Sequence, residues 1–333
     1  MSKTSFVAAK STTDFATRLA SRLATRVVLI AAVLLMVTTP AHAFKLGIIA
    51  FQMSSETHAR VANSAAEAAK ALGWQVQVLN SEGSLPKHSE QIEAMIQAKV
   101  DGLIIAMGKP VEADAQLAAA QKAGIPVITT VAGTSPYTLF DIQVNDYQIG
   151  AQATLYLLSK LNYTGSILTE RYENNVASRI RGKVLDVVLS ENPSVKVLGS
   201  HSMARTASWQ EDVRGGMQAL ILRNQGKFQG VWASFDGQAY VIDDLLKAQG
   251  MKKGDVVLVS IDGGPESYRR IKSPDSLLTA TVGIPFEQIG RTAVAKMNDI
   301  VVKKVPKNQA VNGPYLWMDA VLVDASNVDQ MLK

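Results

Sequence analysis

The chain has 333 residues, a formal net charge of +5 and no cysteine. Disulfides, thiolate nucleophiles, cysteine-bound zinc and lipid attachment through a cysteine are therefore excluded. The charge is no argument for nucleic-acid binding: Lys3, Lys10, Arg18, Arg22 and Arg26 face only Asp14 within residues 1–43, which leaves the rest near +1.

Residues 1–26 read as a basic leader. VVLIAAVLLMV (27–37) is an apolar run too short to span a bilayer comfortably, and Ala41-His42-Ala43 is a small-residue cleavage site. The pattern predicts a secretory signal peptide over 1–43, cleaved after Ala43, with an N-terminal anchor as the alternative. The remaining length suits two lobes of ordinary domain size. In its first half, strands are predicted at 44–51, 74–80, 102–106, 126–131 and 140–144, with Ala-rich amphipathic helices at 55–72, 88–99 and 112–124. In the second half, strands are predicted at 165–171, 195–200, 230–234, 255–261 and 277–283. Helical patterns there fall at 147–161, 174–191, 208–223, 238–249, 265–272 and 286–303, and one extended run, YLWMDAVLV (315–323), closes the chain. This alternation predicts an α/β fold of two doubly wound parallel-sheet lobes.

Ligands of open parallel sheets bind beyond the carboxyl ends of the strands. Two such ends carry an aspartate, Asp236 in GVWASFDG (230–237) and Asp262 in LVSIDGG (258–264). Catalysis, metal binding, ligand hydrogen bonding and helix capping are all open to such residues. The rest of the chain argues against chemistry. His58, His88 and His201 lie in separate segments, and no HExxH, GxSxG, P-loop or calcium loop occurs. The first strand runs into AFQMSS rather than GxGxxG, which disfavours a dinucleotide site. No enzyme activity, cofactor or metal is expected.

Several segments in a fixed order carry a resemblance: GIIAFQMSSETHA, KVDGLII (99–105), AGIPVIT (123–129), VNDYQIGAQ (144–152), ASRIRG (177–182), ASFDG (233–237), SIDGG (260–264) and FEQIG (286–290). Together they resemble the ribose/galactose-type periplasmic substrate-binding proteins of ABC transporters, which have the type I periplasmic binding protein fold. The resemblance spans essentially all of 44–333 and implies a periplasmic receptor that closes on a small sugar or polyol by hinge motion. Its implied partner is an ABC permease in the inner membrane, and its implied state a monomer. The repressors that share the fold are disfavoured, because a signal peptide and not a helix-turn-helix precedes the first strand.

The family's chain crosses between lobes three times. Carried over, the crossings fall at Asn145-Asp146, at Ile284-Pro285 and near Leu316-Trp317, giving one lobe of 44–145 plus 286–316 and a second of 146–284 plus 317–333. The resemblance further implies that Asp262 accepts hydroxyl hydrogen bonds in the cleft and that Arg179, first arginine of the R-x-R-G segment, donates there. Trp209 lies near an aromatic that packs on the sugar face. His58 stands where an aromatic often opens the first helix. Asp236 follows by one residue the family's usual Asn contact, which is Phe235 here, and suits helix capping equally. Phe51 and Gln52 are candidates by their place after the first strand.

The departures from the family are as informative. The Asp-Arg pair expected after the fourth strand is replaced by Val131-Ala132, and the glutamine near the second crossing by Gly283-Ile284. A site with fewer hydroxyl-reading groups leaves a fully hydroxylated pentose desolvated without partners. The expected solute is therefore a smaller polyol, a deoxy or modified sugar, or a less hydroxylated non-sugar. A signalling receptor of the same fold, docking to a membrane sensor, is the alternative function.

Overall fold

A computed structural model describes residues 43–332 apart from 205 and 207. The expected signal peptide lies outside the described residues except for its last one. The first sheet contains β1 (Lys45–Ala50), β2 (Gln75–Asn80), β3 (Gly102–Ala106), β4 (Val127–Thr130) and β5 (Asp141–Gln143). The second contains β6 (Gly165–Arg171), β7 (Val195–Ser202), β8 (Gly230–Ala233), β9 (Val257–Asp262) and β10 (Leu278–Gly283). The closing extended run holds two strands, β11 (Tyr315–Trp317) and β12 (Val321–Asp324), one in each sheet. Strand order is β11-β5-β4-β3-β1-β2 in the first sheet and β12-β10-β9-β8-β6-β7 in the second. All pairings are parallel except β10 with β12, which is antiparallel.

The connecting helices are α1 (Glu56–Ala71), α2 (Leu85–Gln97), α3 (Asp114–Lys122), α4 (Asp146–Lys160), α5 (Val176–Ser190), α6 (Trp209–Arg223), α7 (Asp236–Ala248), α8 (Pro265–Lys272) and α9 (Phe286–Met297), followed by the short α10 (Lys307–Ala310) and α11 (Val328–Met331). Side chains set several of their starts. Asn145 accepts from the amides of Tyr147 and Gln148, and Asn175 from that of Ser178. Ser84 caps α2 from the amide of Lys87, which starts that helix three residues before the expected position. The central strands are buried on both faces, as in β3 (GLIIA, all five residues buried), because helices cover each side of the sheet.

In the first lobe Val61, Ala62, Ala65, Ala66 and Ala69 form the inward stripe of α1. Helix α9 packs along it at backbone contact: a Cβ at Gly290 would overlap the Val61 carbonyl and the Ser64 hydroxyl. Trp232 of β8, fully buried, sits in the core of the second lobe with Leu157, Leu158 and Val259. The chain passes between sheets after β5, after β10 and between β11 and β12, so the third passage runs through residues 318–320. No helix of the described residues is long and apolar enough to cross a membrane.

Candidate functional site

The carboxyl ends of the two sheets meet. Asp146, the first residue of α4 after β5, pairs with Arg181 of α5 across 2.9 Å. Arg60 of α1 donates from Nη1 to the carbonyl of Gly263, just beyond β9, at 2.5 Å. The strand ends here are conformationally strained. Met107 (φ 60°) follows β3, Val131 (φ 50°) follows β4 and Asp262 (φ 139°) ends β9. Positive φ is costly for a β-branched residue such as Val131, and strain of this kind collects where a fold holds side chains for use.

Asp262 and Asp236 have different environments. Asp236 is 4 % exposed, and its carboxylate accepts from Ser260 Oγ (2.5 Å), Thr281 Oγ1 (2.7 Å), the Gly263 amide (2.7 Å) and Ser267 Oγ. These donors come from β9, the turn after it, α8 and β10, so Asp236 ties the upper edge of the second lobe together. It is the first residue of α7, whose cap position Phe235 makes no side-chain cap bond. Asp262 keeps 14 % of its side chain exposed and receives Arg181 Nη1 on Oδ1 at 3.3 Å. Among the described residues nothing donates to its Oδ2. Burial pushes its carboxyl up to about 7, with Arg181 drawing it down and Asp236 pushing it further up.

Arg181 holds this arrangement. Its guanidinium is 5 % exposed and also donates to the Ser234 carbonyl at 3.1 Å, so it joins the start of α4 to the ends of β8 and β9. Arg179 does not reach Asp262; its Nη1 donates to the Glu173 carbonyl at 2.6 Å. The buried residues of α5 are Ser178, Arg181, Gly182 and Leu185, an i, i+3, i+4, i+7 stripe on which position 181 lies and 179 does not. That stripe is the signal in the sequence that separates the two arginines.

Aromatic rings cluster at the strand ends of both lobes. In the second lobe Phe235 stacks obliquely on Trp209 (centroids 5.7 Å apart) and edge-on to Tyr172 (6.3 Å), a residue that sequence reasoning missed. In the first, half-buried Phe51 lies 6.3 Å from His58 and 5.7 Å from His88. Burial lowers both imidazoles to about 4, so both are neutral at physiological pH. His58 Nδ1 and His88 Nε2 are buried without hydrogen-bond partners. Gln52, next to Phe51, is exposed. At the crossings, Asn145 is spent on capping α4, the Ile284 amide donates to the Asp262 carbonyl at 2.7 Å, and Pro285 precedes α9.

Two six-stranded α/β lobes that meet at their carboxyl edges, around a half-satisfied carboxylate and aromatic faces, define a two-lobed binding protein. Residues 46–304 match the model of the periplasmic binding protein domain, and the chain belongs to that family. Over 247 residues, 72 % of this chain and 76 % of the relative, it is 25 % identical to a ribose import binding protein of Bacillus subtilis (strain 168). Solved structures share the fold at low identity. One is a 5-methylthioribose transporter solute binding protein from Thermotoga lettingae in complex with 5-methylthioribose (TM-score 0.75, 21 % identity, 86 % of this chain and 88 % of that one). Another is an ABC transporter solute binding protein from Agrobacterium vitis with bound allitol (TM-score 0.74, 21 % identity, 87 % and 98 %). A third is an ABC sugar transporter subunit from Rhodobacter sphaeroides (TM-score 0.74, 21 % identity, 85 % and 99 %). The family's role is binding, not catalysis.

Proposed function

We propose that the protein is the solute receptor of an ABC importer, working in the periplasm as a monomer and handing its solute to an inner-membrane permease. The observation that carries the reading is Asp262, a cleft carboxylate fixed on one oxygen by Arg181 and open on the other to hydroxyl donors. Phe51 and neutral His58 on one side, with Phe235, Trp209 and Tyr172 on the other, supply apolar faces for C–H groups of a ring or short chain. Apolar Val131 and Phe235 reduce the number of hydroxyls that can be matched, which favours a small polyol or a modified sugar with an apolar side over an unmodified pentose.

On this reading residues 1–43 are a signal peptide removed after Ala43. The lobes are 44–145 plus 286–317 and 146–284 plus 321–333, closing about the three chain passages, the third of which falls at 318–320 and not at Leu316-Trp317. The test uses residues 44–333, unfolded and refolded to strip carried-over solute. A thermal-shift panel holds pentoses, hexoses, polyols, deoxysugars, methylthio sugars and small organic acids. A solute at about 100 times its Kd adds about 2.7 kcal/mol of stability. A selective shift with one polyol or modified sugar is expected; a shift with unmodified ribose alone overturns the solute class, and a flat panel overturns the sugar reading.

A further inference from the structure

Arg60 makes a contact that neither sheet needs for its own packing. Within the first lobe its guanidinium is pinned by Glu287 of α9, Nε to Oε1 at 2.7 Å and Nη2 to Oε2 at 3.0 Å, and it lies 5.1 Å from the centre of the Phe286 ring. A bidentate fork of this kind fixes the orientation of the whole planar group. The remaining nitrogen, Nη1, is thereby aimed out of the first lobe, and there it meets the Gly263 carbonyl of the second at 2.5 Å.

The same peptide segment is held from within its own lobe, since the Gly263 amide donates to Asp236 at 2.7 Å. Gly263 is therefore gripped at both ends, by Asp236 below and by Arg60 from the opposite lobe. It immediately follows Asp262, whose φ of 139° is sparsely populated for a residue with a Cβ, while Gly263 (φ 70°) and Gly264 (φ 147°) complete the turn with angles that glycine adopts freely. The approach is close enough to demand glycine: a Cβ at Gly264 would stand 2.7 Å from Arg60 Nη1 and 3.1 Å from Glu56 Oε1.

We propose that Arg60 is an interlobe latch. In the closed form it fastens the first lobe to the Gly263 carbonyl, and in doing so it clamps the strained turn that presents Asp262 to the solute. Opening the cleft breaks the Arg60–Gly263 bond and frees that turn in the same movement, so closure and the readiness of Asp262 are coupled. Arg60 acts as a positioning residue; it acts through the peptide and not on the solute. The inference rests on Asp262 being the cleft acceptor only for its consequence in binding, whereas the latch itself is testable with no solute present.

The chain contains no cysteine, so a single pair of introduced cysteines can carry spin labels. Lys70 on α1 and Lys183 on α5 are exposed, one on each lobe. Distances between labels at these positions, measured by double electron–electron resonance on solute-free protein, are expected to show a closed population in the otherwise unmodified chain. Arg60→Met should lower its closed-to-open ratio by about tenfold or more, the effect of losing one hydrogen bond from a charged donor. Arg60→Lys, which keeps the charge but not the fork, should fall between the two. Glu287→Gln, which loosens the pin and leaves Arg60 in place, should shift the ratio the same way by less. Urea midpoints separate a latch from a packing role, since a latch variant changes the distance distribution while the unfolding of each lobe is kept. Unchanged distances in Arg60→Met overturn the proposal, as does a solute-free chain that is already wholly open. A negative solute panel with the distances shifted as expected rejects the binding assignment and leaves the latch standing.

Discussion

Replacing Asp236 by asparagine separates a structural carboxylate from a solute-reading one. The substitution conserves volume, so no cavity forms, and only the charge and two proton positions change. Asp236 accepts four hydrogen bonds from Ser260, Gly263, Ser267 and Thr281. The three hydroxyls can rotate, and Ser260 and Thr281 can turn to accept from a new amide NH2. The Gly263 amide cannot turn, so the remaining oxygen must stay on that side. Four charge-assisted bonds, each worth about 1.5–3 kcal/mol, become neutral ones of about 0.5–1.5 kcal/mol. Relief of a buried charge offsets part of the loss, which leaves a destabilisation of about 2–3 kcal/mol. Asp236→Ala orphans all four donors and should cost more than about 4 kcal/mol, at the extreme of single substitutions. Urea unfolding reads this through the fluorescence of Trp232, which is fully buried in the same lobe. A variant Asp236→Asn within about 0.5 kcal/mol of the parent, with solute affinity abolished, would falsify the reasoning and return Asp236 to the site.

Asp262→Asn should show the reverse pattern, because it removes a charge whose burial is only partly compensated by Arg181. Its unfolding midpoint should hold or rise, and calorimetry should show affinity lost by tenfold or more; a large loss of stability with affinity intact refutes the assignment. Since hydroxyl donors bind the ionised form, affinity in the parent should weaken as pH falls through about 7, by up to about tenfold per unit below it, and Asp262→Asn should flatten this profile. His58 is buried neutral with its pKa at about 4, below its ordinary 6.5, so the unfolded chain takes up a proton in that window and the folded chain does not. The sign follows: stability drawn from neutral His58 is lost as pH drops from 6.5 toward 4. His58→Phe should gain on the parent by up to about 1.4 kcal/mol per pH unit there, in paired urea melts; an advantage constant with pH refutes it. Trp209→Ala should weaken binding of a solute with an apolar face by about 1 kcal/mol more than that of a fully hydroxylated one, measured by competition calorimetry.

Much of the architecture is legible in the sequence, because it rests on local periodicity. The β-branched runs at 102–106 and 165–171 and the Ala-rich stripe of 56–71 can bury their apolar faces only as strands and a helix in alternation. The division of 315–323 between the lobes came from the family resemblance, near Leu316-Trp317; its place at 318–320 and the opposite senses of pairing were not legible, since one extended run carries no signal for either. Of the candidate site, strand-end positions such as Phe51 and Asp262 follow from the rule that ligands lie beyond carboxyl ends. Arg181 was recoverable from the α5 stripe, whereas Arg60 was not, because its partners Gly263 and Glu287 lie more than 200 residues away.

What the sequence alone determined is the order of elements and the two strand ends that carry a carboxylate. Both Asp236 and Asp262 sit after short apolar strands and before a glycine, and by local pattern they are equivalent, Asp262 being preferred only through the family resemblance. Only the tertiary structure distinguishes them. Residues of β9, α8 and β10 converge on Asp236 and consume its oxygens, while Arg181 from α5 takes one oxygen of Asp262 and leaves the other open. Local pattern is set by which side chains an element buries; whether a buried charge is spent or free depends on donors from distant elements, and only the fold brings those together.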